Sequence, residues 1–246
     1  MQGRHGMGSR TDGRNLITEA QASGYTVVRT ADELAALPAG TRKVLGLFAY
    51  DETFNEGSEQ QLARRGLPIF QPLAARFDVM IAAAIAILEQ DPDGFFLVGN
   101  EEASDNLAGD NNAAALIEAG AGADRAITAA RIAAARNPLL TIVVASDSDC
   151  GGVQATGDDA VAGVRVPRRG ENGAPQDGEG AGGLAYLAAP DRAGVRHPFM
   201  VRWASGGDNS GGIVARAYGP GATLISGTVD STAIYQALHL GLFEPR

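Results

Sequence analysis

Residues 91–112 have the sequence DPDGFFLVGNEEASDNLAGDNN. The turn signal at 91–94 precedes a short, continuous apolar run, which predicts a strand over 95–98 that is buried on both faces. A polar segment, 99–112, follows this strand directly, and Asn112 stands before an alanine-rich stretch that predicts a helix. A strand, a polar loop and a helix in this order are typical of an α/β fold.

The same alternation continues in both directions along the chain. Further helices are predicted over residues 16–22, 30–37, 72–90 and 231–240, with the helix after Asn112 extending to Arg136. Further strands are predicted over 25–28, 44–48 and 141–145, and the segments 199–203 and 213–218 are predicted to pair with each other. We expect residues 50–72 to be a polar loop outside the core, and residues 154–198, which are rich in Gly, Pro, Asp and Arg, to be a long excursion over the surface.

Composition argues against several classes of function. The 246-residue chain has a net charge of -9, which disfavours nucleic-acid binding. No apolar stretch approaches the ~20 residues that a membrane span needs, and the polar segment 1–6 does not resemble a secretory signal. The single cysteine, Cys150, rules out an intrachain disulfide and a cysteine-rich metal site.

Three polar turns carry the candidate chemistry. They are residues 99–112, residues 146–152 (SDSDCGG) and residues 205–212 (SGGDNSGG). If the first two follow parallel strands, their acids lie at the carboxyl edge of a sheet, where ligands of open α/β sheets gather. Oxygen donors on turns suit Mg²⁺ or Ca²⁺, but Asp and Asn are also ordinary turn and helix-cap residues. Both interpretations remain open from composition.

An ordered set of motifs resembles the second half of bacterial alkaline phosphatases. The set comprises RTDGRNL (10–16), LGLFA (45–49), DPDGFFL (91–97), Asp105, NAAA (112–115), VASD (144–147), Gly151-Gly152, AYGPGA (217–222) and GTVD (227–230). This resemblance implies the C-terminal half of an alkaline-phosphatase-like three-layer α/β sandwich, with part of the sheet and its flanking helices. We expect one domain over residues 1–246 that includes the excursion at about 154–198.

The resemblance also assigns metal ligands, residue by residue. Asp105 and Asp147 match an aspartate of each zinc site. The magnesium-binding glutamate of the family falls on Asn100, and Glu101 beside it could substitute. The three histidine ligands of this half fall on Gly109, Ser148 and Asp208.

Without these histidines, the site is expected to favour Mg²⁺ or Ca²⁺ over Zn²⁺, because imidazole suits zinc whereas carboxylate and amide oxygens suit harder cations. The candidate ligands are, in order of preference, Asp105, Asp147 and Asp208, followed by Asn100, Glu101 and Asp149. The alternative that these acids only make turn hydrogen bonds stays open.

The nucleophile, the metal-bridging aspartate and the phosphate-binding arginine of the family all belong to its first half, so no catalytic residue is assigned. One hypothesis is a truncated or degenerate phosphatase that binds a divalent cation weakly and has little or no turnover. A second is a hydrolase of phosphate mono- or diesters that needs a partner chain for the nucleophile, and a third is a self-associating interaction domain. The resemblance implies a periplasmic or extracellular protein, and either a homo-oligomer or a missing N-terminal half.

Overall fold

The structure is a computed structural model that describes residues 10–243. The helices are α1 (Leu16–Ala22), α2 (Ala31–Ala35), α3 (Glu59–Arg65), α4 (Phe77–Leu88), α5 (Ala103–Gly109), α6 (Ala113–Arg136) and α7 (Thr232–Phe243), with a 3₁₀ turn at Ala222–Leu224. The strands are β1 (Thr26–Val28), β2 (Val44–Gly46), β3 (Ile142–Val144), β4 (Asp149–Cys150), β5 (Gln154–Thr156), β6 (Gln176–Asp177), β7 (Tyr186–Leu187), β8 (Pro198–Arg202), β9 (Asp208–Asn209) and β10 (Arg216–Tyr218). None of the helices within 10–243 is both long and apolar enough to cross a membrane.

Local capping explains where several helices begin. The side chains of Asn15, Thr30 and Asn112 each accept a hydrogen bond from a backbone N–H in the first turn of α1, α2 and α6. These caps satisfy N–H groups that have no partner within the helix. The predicted starts of these helices are therefore confirmed to within a residue.

The strands form several small sheets instead of one continuous parallel sheet. β1 pairs with β2 in parallel, whereas β3 pairs with β10 and β4 with β9 in antiparallel fashion. The largest sheet has the order β5-β8-β6, and β7 also pairs with β8. The predicted pairing of 199–203 with 213–218 is wrong, because these segments supply β8 and β10 to different sheets.

The predicted strand over 95–98 does not form. Within the described residues this segment has no assigned strand, and Phe96 and Val98 expose 56% and 71% of their surface. A strand requires a neighbouring backbone for its hydrogen bonds, and residues 10–243 provide none there. The apolar run instead forms one wall of a groove.

Residues 50–72 contribute to the core, contrary to the predicted polar loop. Phe54 and Leu62 are buried, and Phe54 packs with Leu107 of α5. The segment also contains α3, and a capping box between Ser58 and Gln61 stabilises the start of this helix.

The region 154–198 combines surface loops with part of the core. It supplies β5, β6 and β7, which pair with β8. Val166 and Ala185 from this region pack against Met200 of β8, and all three side chains are buried. The glycine- and proline-rich composition of this region predicts loops. It does not reveal β5, β6 and β7, because strands of two or three residues are too short to show an alternating pattern.

Candidate metal centre

A large groove of about 1410 Å³ lies between helices and the ends of strands. Residues from α4, α6 and α7, the segment 91–102 and the stretch from 137 to 150 line it. The helical lining is mostly apolar, as at Ile81, Ile127 and Leu238. The acidic turns lie on the same groove, so it joins an apolar surface to a polar one.

All six candidate ligands predicted from the sequence line this groove. They are Asn100, Glu101, Asp105, Asp147, Asp149 and Asp208. These six residues do not form a single site. Only Asp105 and Asp208 lie close enough to each other, and to a third residue, to share one ion.

Asp105, Cys150 and Asp208 form the closest group. One carboxylate oxygen of each aspartate and the Cys150 Sγ lie within 4.8 Å of one another. Asp105 lies on α5, while Cys150 and Asp208 are directly opposed in the β4–β9 pair. We call these three residues the groove cluster.

The surrounding fold positions each member. Leu107, fully buried among Phe54, Ala115 and Ala119, anchors α5 and hence Asp105. Gly151, which follows Cys150, has a φ of 74°, and a Cβ there would lie 2.9 Å from the Ala108 carbonyl oxygen. A side chain at this position would therefore push β4 away from α5.

Ser148 connects the two aspartates. Its hydroxyl is 3.3 Å from an Asp208 carboxylate oxygen and 3.5 Å from an Asp105 oxygen, and it is the donor to both in the recorded geometry. A hydroxyl can donate only one of these hydrogen bonds at a time. Ser148 thus leaves one of the two carboxylates available to another partner.

Electrostatics within the groove cluster oppose ionisation. Partial burial raises the pKa of Asp105, and the Asp208 carboxylate raises it further, although a hydrogen bond from Cys150 lowers it. Burial, followed by the charge of Asp105, raises the pKa of the Cys150 thiol to about 12. At neutral pH the thiol is therefore protonated, and a bound cation would relieve the repulsion between the acids.

Cys150 was not among the predicted ligands. A single cysteine argues against disulfides and cysteine-rich sites, but Cys150 stands in the same turn as Asp147 and Asp149. The position of this thiol within an acidic turn is the feature of the sequence that could have indicated a ligand. Its approach to Asp208 depends on the β4–β9 pairing, which joins these two residues across 58 positions and leaves no local pattern in the sequence.

The remaining candidates lie outside the groove cluster. Asp147 and Asp149 are exposed on the groove, and Asn100 donates a hydrogen bond to Glu102. Glu101 accepts a hydrogen bond from the backbone N–H of Ser104 near the start of α5. As the geometry stands, Asn100 and Glu101 make local hydrogen bonds.

The donors of the groove cluster fit a hard divalent cation in part. Two carboxylates and a nearby hydroxyl are oxygen donors of the kind that Mg²⁺, Ca²⁺ and Mn²⁺ prefer, and water would complete their coordination. A zinc ion would favour the thiolate form of Cys150, which burial and Asp105 disfavour. Of the described histidines, His197 contacts Asp191, and His239 makes tilted ring contacts with Tyr235 and Phe243.

Comparison with known proteins identifies the family. The family model for alkaline phosphatase matches residues 1–174. No match was found among curated protein sequences.

The fold resembles solved alkaline phosphatases over most of this chain. The enzyme from the Antarctic bacterium TAB5 superposes with a TM-score of 0.60 at 20% identity, covering 95% of this chain and 56% of that one. The cold-active enzyme from Shewanella sp. gives 0.65 at 18% identity, with 97% and 64% covered, and the Thermus thermophilus enzyme gives 0.66 at 20% identity, with 95% and 59% covered. A mutant of the TAB5 enzyme has Mg bound in its M3 site.

The chain thus spans less than two thirds of the length of these solved relatives. At these identities the structural likeness shows the fold, which is the expected partial alkaline-phosphatase-like α/β fold. The match of the family model over most of the chain goes further, and the chain belongs to the alkaline phosphatase family.

Proposed function

We propose that this chain binds a divalent cation weakly at the groove cluster and has little or no phosphatase activity of its own. The observation that carries the proposal is the meeting of Asp105, Cys150 and Asp208 within 4.8 Å, with no histidine in the group. Alkaline phosphatases bind divalent metal ions. Oxygen donors dominate here, so Mg²⁺ or Ca²⁺ should bind better than Zn²⁺.

Low turnover follows from what phosphoryl transfer requires. The reaction needs an aligned nucleophile and several positive groups around the transferred phosphoryl group. The groove cluster supplies acidic ligands, and the family resemblance assigns the nucleophile and the phosphate-binding arginine to the half that this chain does not match. A cation held by Asp105 and Asp208 would bind phosphate as a Lewis acid without positioning an attacking group.

A second candidate function is favoured by the groove itself. The side chains of Phe96 and Val98 are exposed, no strand within residues 10–243 pairs with their segment, and apolar residues of α4 and α6 line the same groove. Exposed apolar surfaces of this kind serve as interaction sites. A segment supplying the nucleophile could bind there and complete a hydrolase of phosphate mono- or diesters. Family members are periplasmic or extracellular, and we propose the same location for this chain.

Hydrolysis of chromogenic phosphate mono- and diesters by the purified chain tests the first candidate. The assay is run metal-free and then with Zn²⁺, Mg²⁺, Ca²⁺ and Mn²⁺, and the mass in solution is measured in parallel. We expect no turnover with any metal, whatever the mass. Metal-dependent turnover that Asp208→Asn abolishes, and that the exposed remote substitution Asp158→Asn leaves unchanged, would show instead that the site is catalytically complete.

A mass of two chains or more without turnover would favour self-association across the groove, which is the third hypothesis. Turnover that appears only on adding a protein with the N-terminal half of a family member would favour the second.

A further inference from the structure

The backbone of residues 95–100 makes no hydrogen bond within residues 10–243. Hydrogen bonds resume on either side of this segment, at the Gly94 N–H and at the Glu101 carbonyl oxygen. None of the residues 95–100 is a proline, so each carries one backbone donor and one acceptor. Folded chains pair most such groups wherever water is excluded. We call residues 95–100 the open segment.

The side chains of the open segment alternate as those of a strand do. Phe95 and Leu97 are half-buried, whereas Phe96 and Val98 are exposed. A period of two residues is that of an extended strand. Near the end of the segment Gly99 lies against α4, where a Cβ would come within 2.6 Å of the Ile81 Cδ1. The segment therefore rests on a helix, and pairing with a strand would require little rearrangement of it.

A second unpaired strand edge lies on the same groove. Among the described strands, β3 pairs with β10 alone, so one edge of β3 has no neighbouring strand. Both β3 and the open segment line the groove of about 1410 Å³, together with apolar side chains of α4, α6 and α7. An added strand would satisfy the backbone groups of such an edge, and its side chains would pack on the apolar lining.

The charge of the groove indicates which kind of strand fits. Acidic residues that line the groove flank the open segment on both sides, and they are Asp91, Asp93, Glu101 and Glu102. No lysine, arginine or histidine of the described residues lines the groove. Antiparallel pairing of two open segments from two copies of the chain would bring these acids together, so charge disfavours a second copy as the occupant. It favours a strand that carries lysine or arginine at its ends.

We propose that the groove binds an extended apolar segment of another polypeptide, with basic residues at its ends, which pairs as a β-strand with the open segment. The inference deepens the second candidate function, on which it rests for the use of the groove. It adds how the partner is recognised, namely by backbone hydrogen bonds, apolar side chains and positive charge. It requires neither a bound cation nor turnover.

Binding of a fluorescent peptide to the purified chain tests this proposal. The probe is the peptide KKVTVIVKK, and its fluorescence anisotropy is measured with a chelator present. We expect saturable binding that weakens as salt is added. N-methyl groups on two neighbouring central amides remove one donor on each edge of the peptide and keep its charge, so they should weaken binding at least about tenfold. The same peptide with glutamate in place of lysine should bind more weakly still.

A substitution in the open segment supplies the matching change on the protein. Val98 is 71% exposed and its N–H makes no hydrogen bond within the described part of the chain, so Val98→Pro removes little native packing. It removes a donor of the open segment, and we expect peptide binding to weaken at least about tenfold. Val161→Pro, at an exposed position outside the groove, should leave binding unchanged and serves as the matched control.

Hydrogen exchange of the wild-type chain locates the contact without any variant. The amides of the open segment should exchange rapidly in the free chain and become protected at saturating peptide. No peptide binding, or binding that protects none of these amides, would overturn the proposal. Unweakened binding of the N-methylated peptide would overturn it as well.

Protection of the same amides in the free chain, with a mass of two chains, would make a second copy the occupant and would also overturn the proposal. No phosphoester or metal ion is present in these experiments. Their failure is therefore distinguishable from a failure of the proposed function, which the hydrolysis assay measures.

Discussion

The groove cluster and a buried acid group, Glu59, Asp177 and Tyr186, use similar residues in opposite surroundings. Each contains two carboxylates and one neutral hydrogen-bonding group, Cys150 in the first and Tyr186 in the second. Asp208 is exposed to solvent, whereas every member of the buried acid group is more than nine-tenths buried. Water can complete the coordination of an ion at the groove, but the interior must supply every ligand itself. Water therefore screens the charges at the groove, whereas the interior penalises any charged group that lacks a partner.

The largest expected effect concerns the reactivity of Cys150. With a pKa of about 12 instead of 9.0, its thiol has about a thousandfold less thiolate at pH 7 than an ordinary cysteine. Alkylation followed by mass spectrometry should be correspondingly slow, and Asp105→Asn should speed it by removing a neighbouring negative charge. Alkylation at the rate of a free thiol would show that the groove cluster is not the acidic environment described here.

Replacing one acid from each group should separate them by stability. Asp177→Ala removes a buried carboxylate that accepts two backbone N–H groups, and we expect a loss of about 3–5 kcal/mol in the free energy of unfolding. Asp208→Ala at the exposed site should change it by less than about 0.5 kcal/mol. Urea denaturation of both variants measures the difference. Equal losses would remove the distinction between the two groups.

The pH dependence of stability should report Glu59. Its pKa is raised from 4.5 to about 7 on folding, so the folded chain holds this proton more tightly than the unfolded chain. The resulting stabilisation is fully present below about pH 4.5, declines as pH rises through 7, and is absent above that, a change of up to about 3 kcal/mol.

Denaturation at pH 5.5 and pH 8.5 in the presence of a chelator measures this change. Glu59→Gln provides the control, because its side chain does not titrate. The same pH dependence in both proteins would assign the effect to other groups.

Helices were more accessible to sequence reasoning than strands. The predicted helix from Asn112 to about Arg136 is confirmed as α6, and its start is explained by the Asn112 side chain, which caps the first turn. By contrast, the apolar run 95–98 was predicted to be a strand buried on both faces, and it forms no strand. A strand forms only where a second strand lies beside it, and the sequence of 95–98 does not say whether one does. Within residues 10–243 no strand pairs with this segment.

The candidate sites divide in the same way. Asp105 and Asp208 were predicted as ligands from a family resemblance, and the structure brings them together, whereas Asp147 stays outside the group. Whether any of them binds metal remains a prediction. Glu59 gave no signal, because its burial follows from packing of α3 against residues more than 100 positions later.

Equilibrium titration of the metal-free chain with Mn²⁺ tests the central claim most directly, with wild type, Asp105→Asn/Asp208→Asn and Glu59→Gln compared side by side. We predict weak binding, with a Kd in the range of about 0.1–1 mM, which the groove variant loses and Glu59→Gln retains at the groove. Unchanged binding in the groove variant would contradict the assignment of Asp105 and Asp208 as cation ligands.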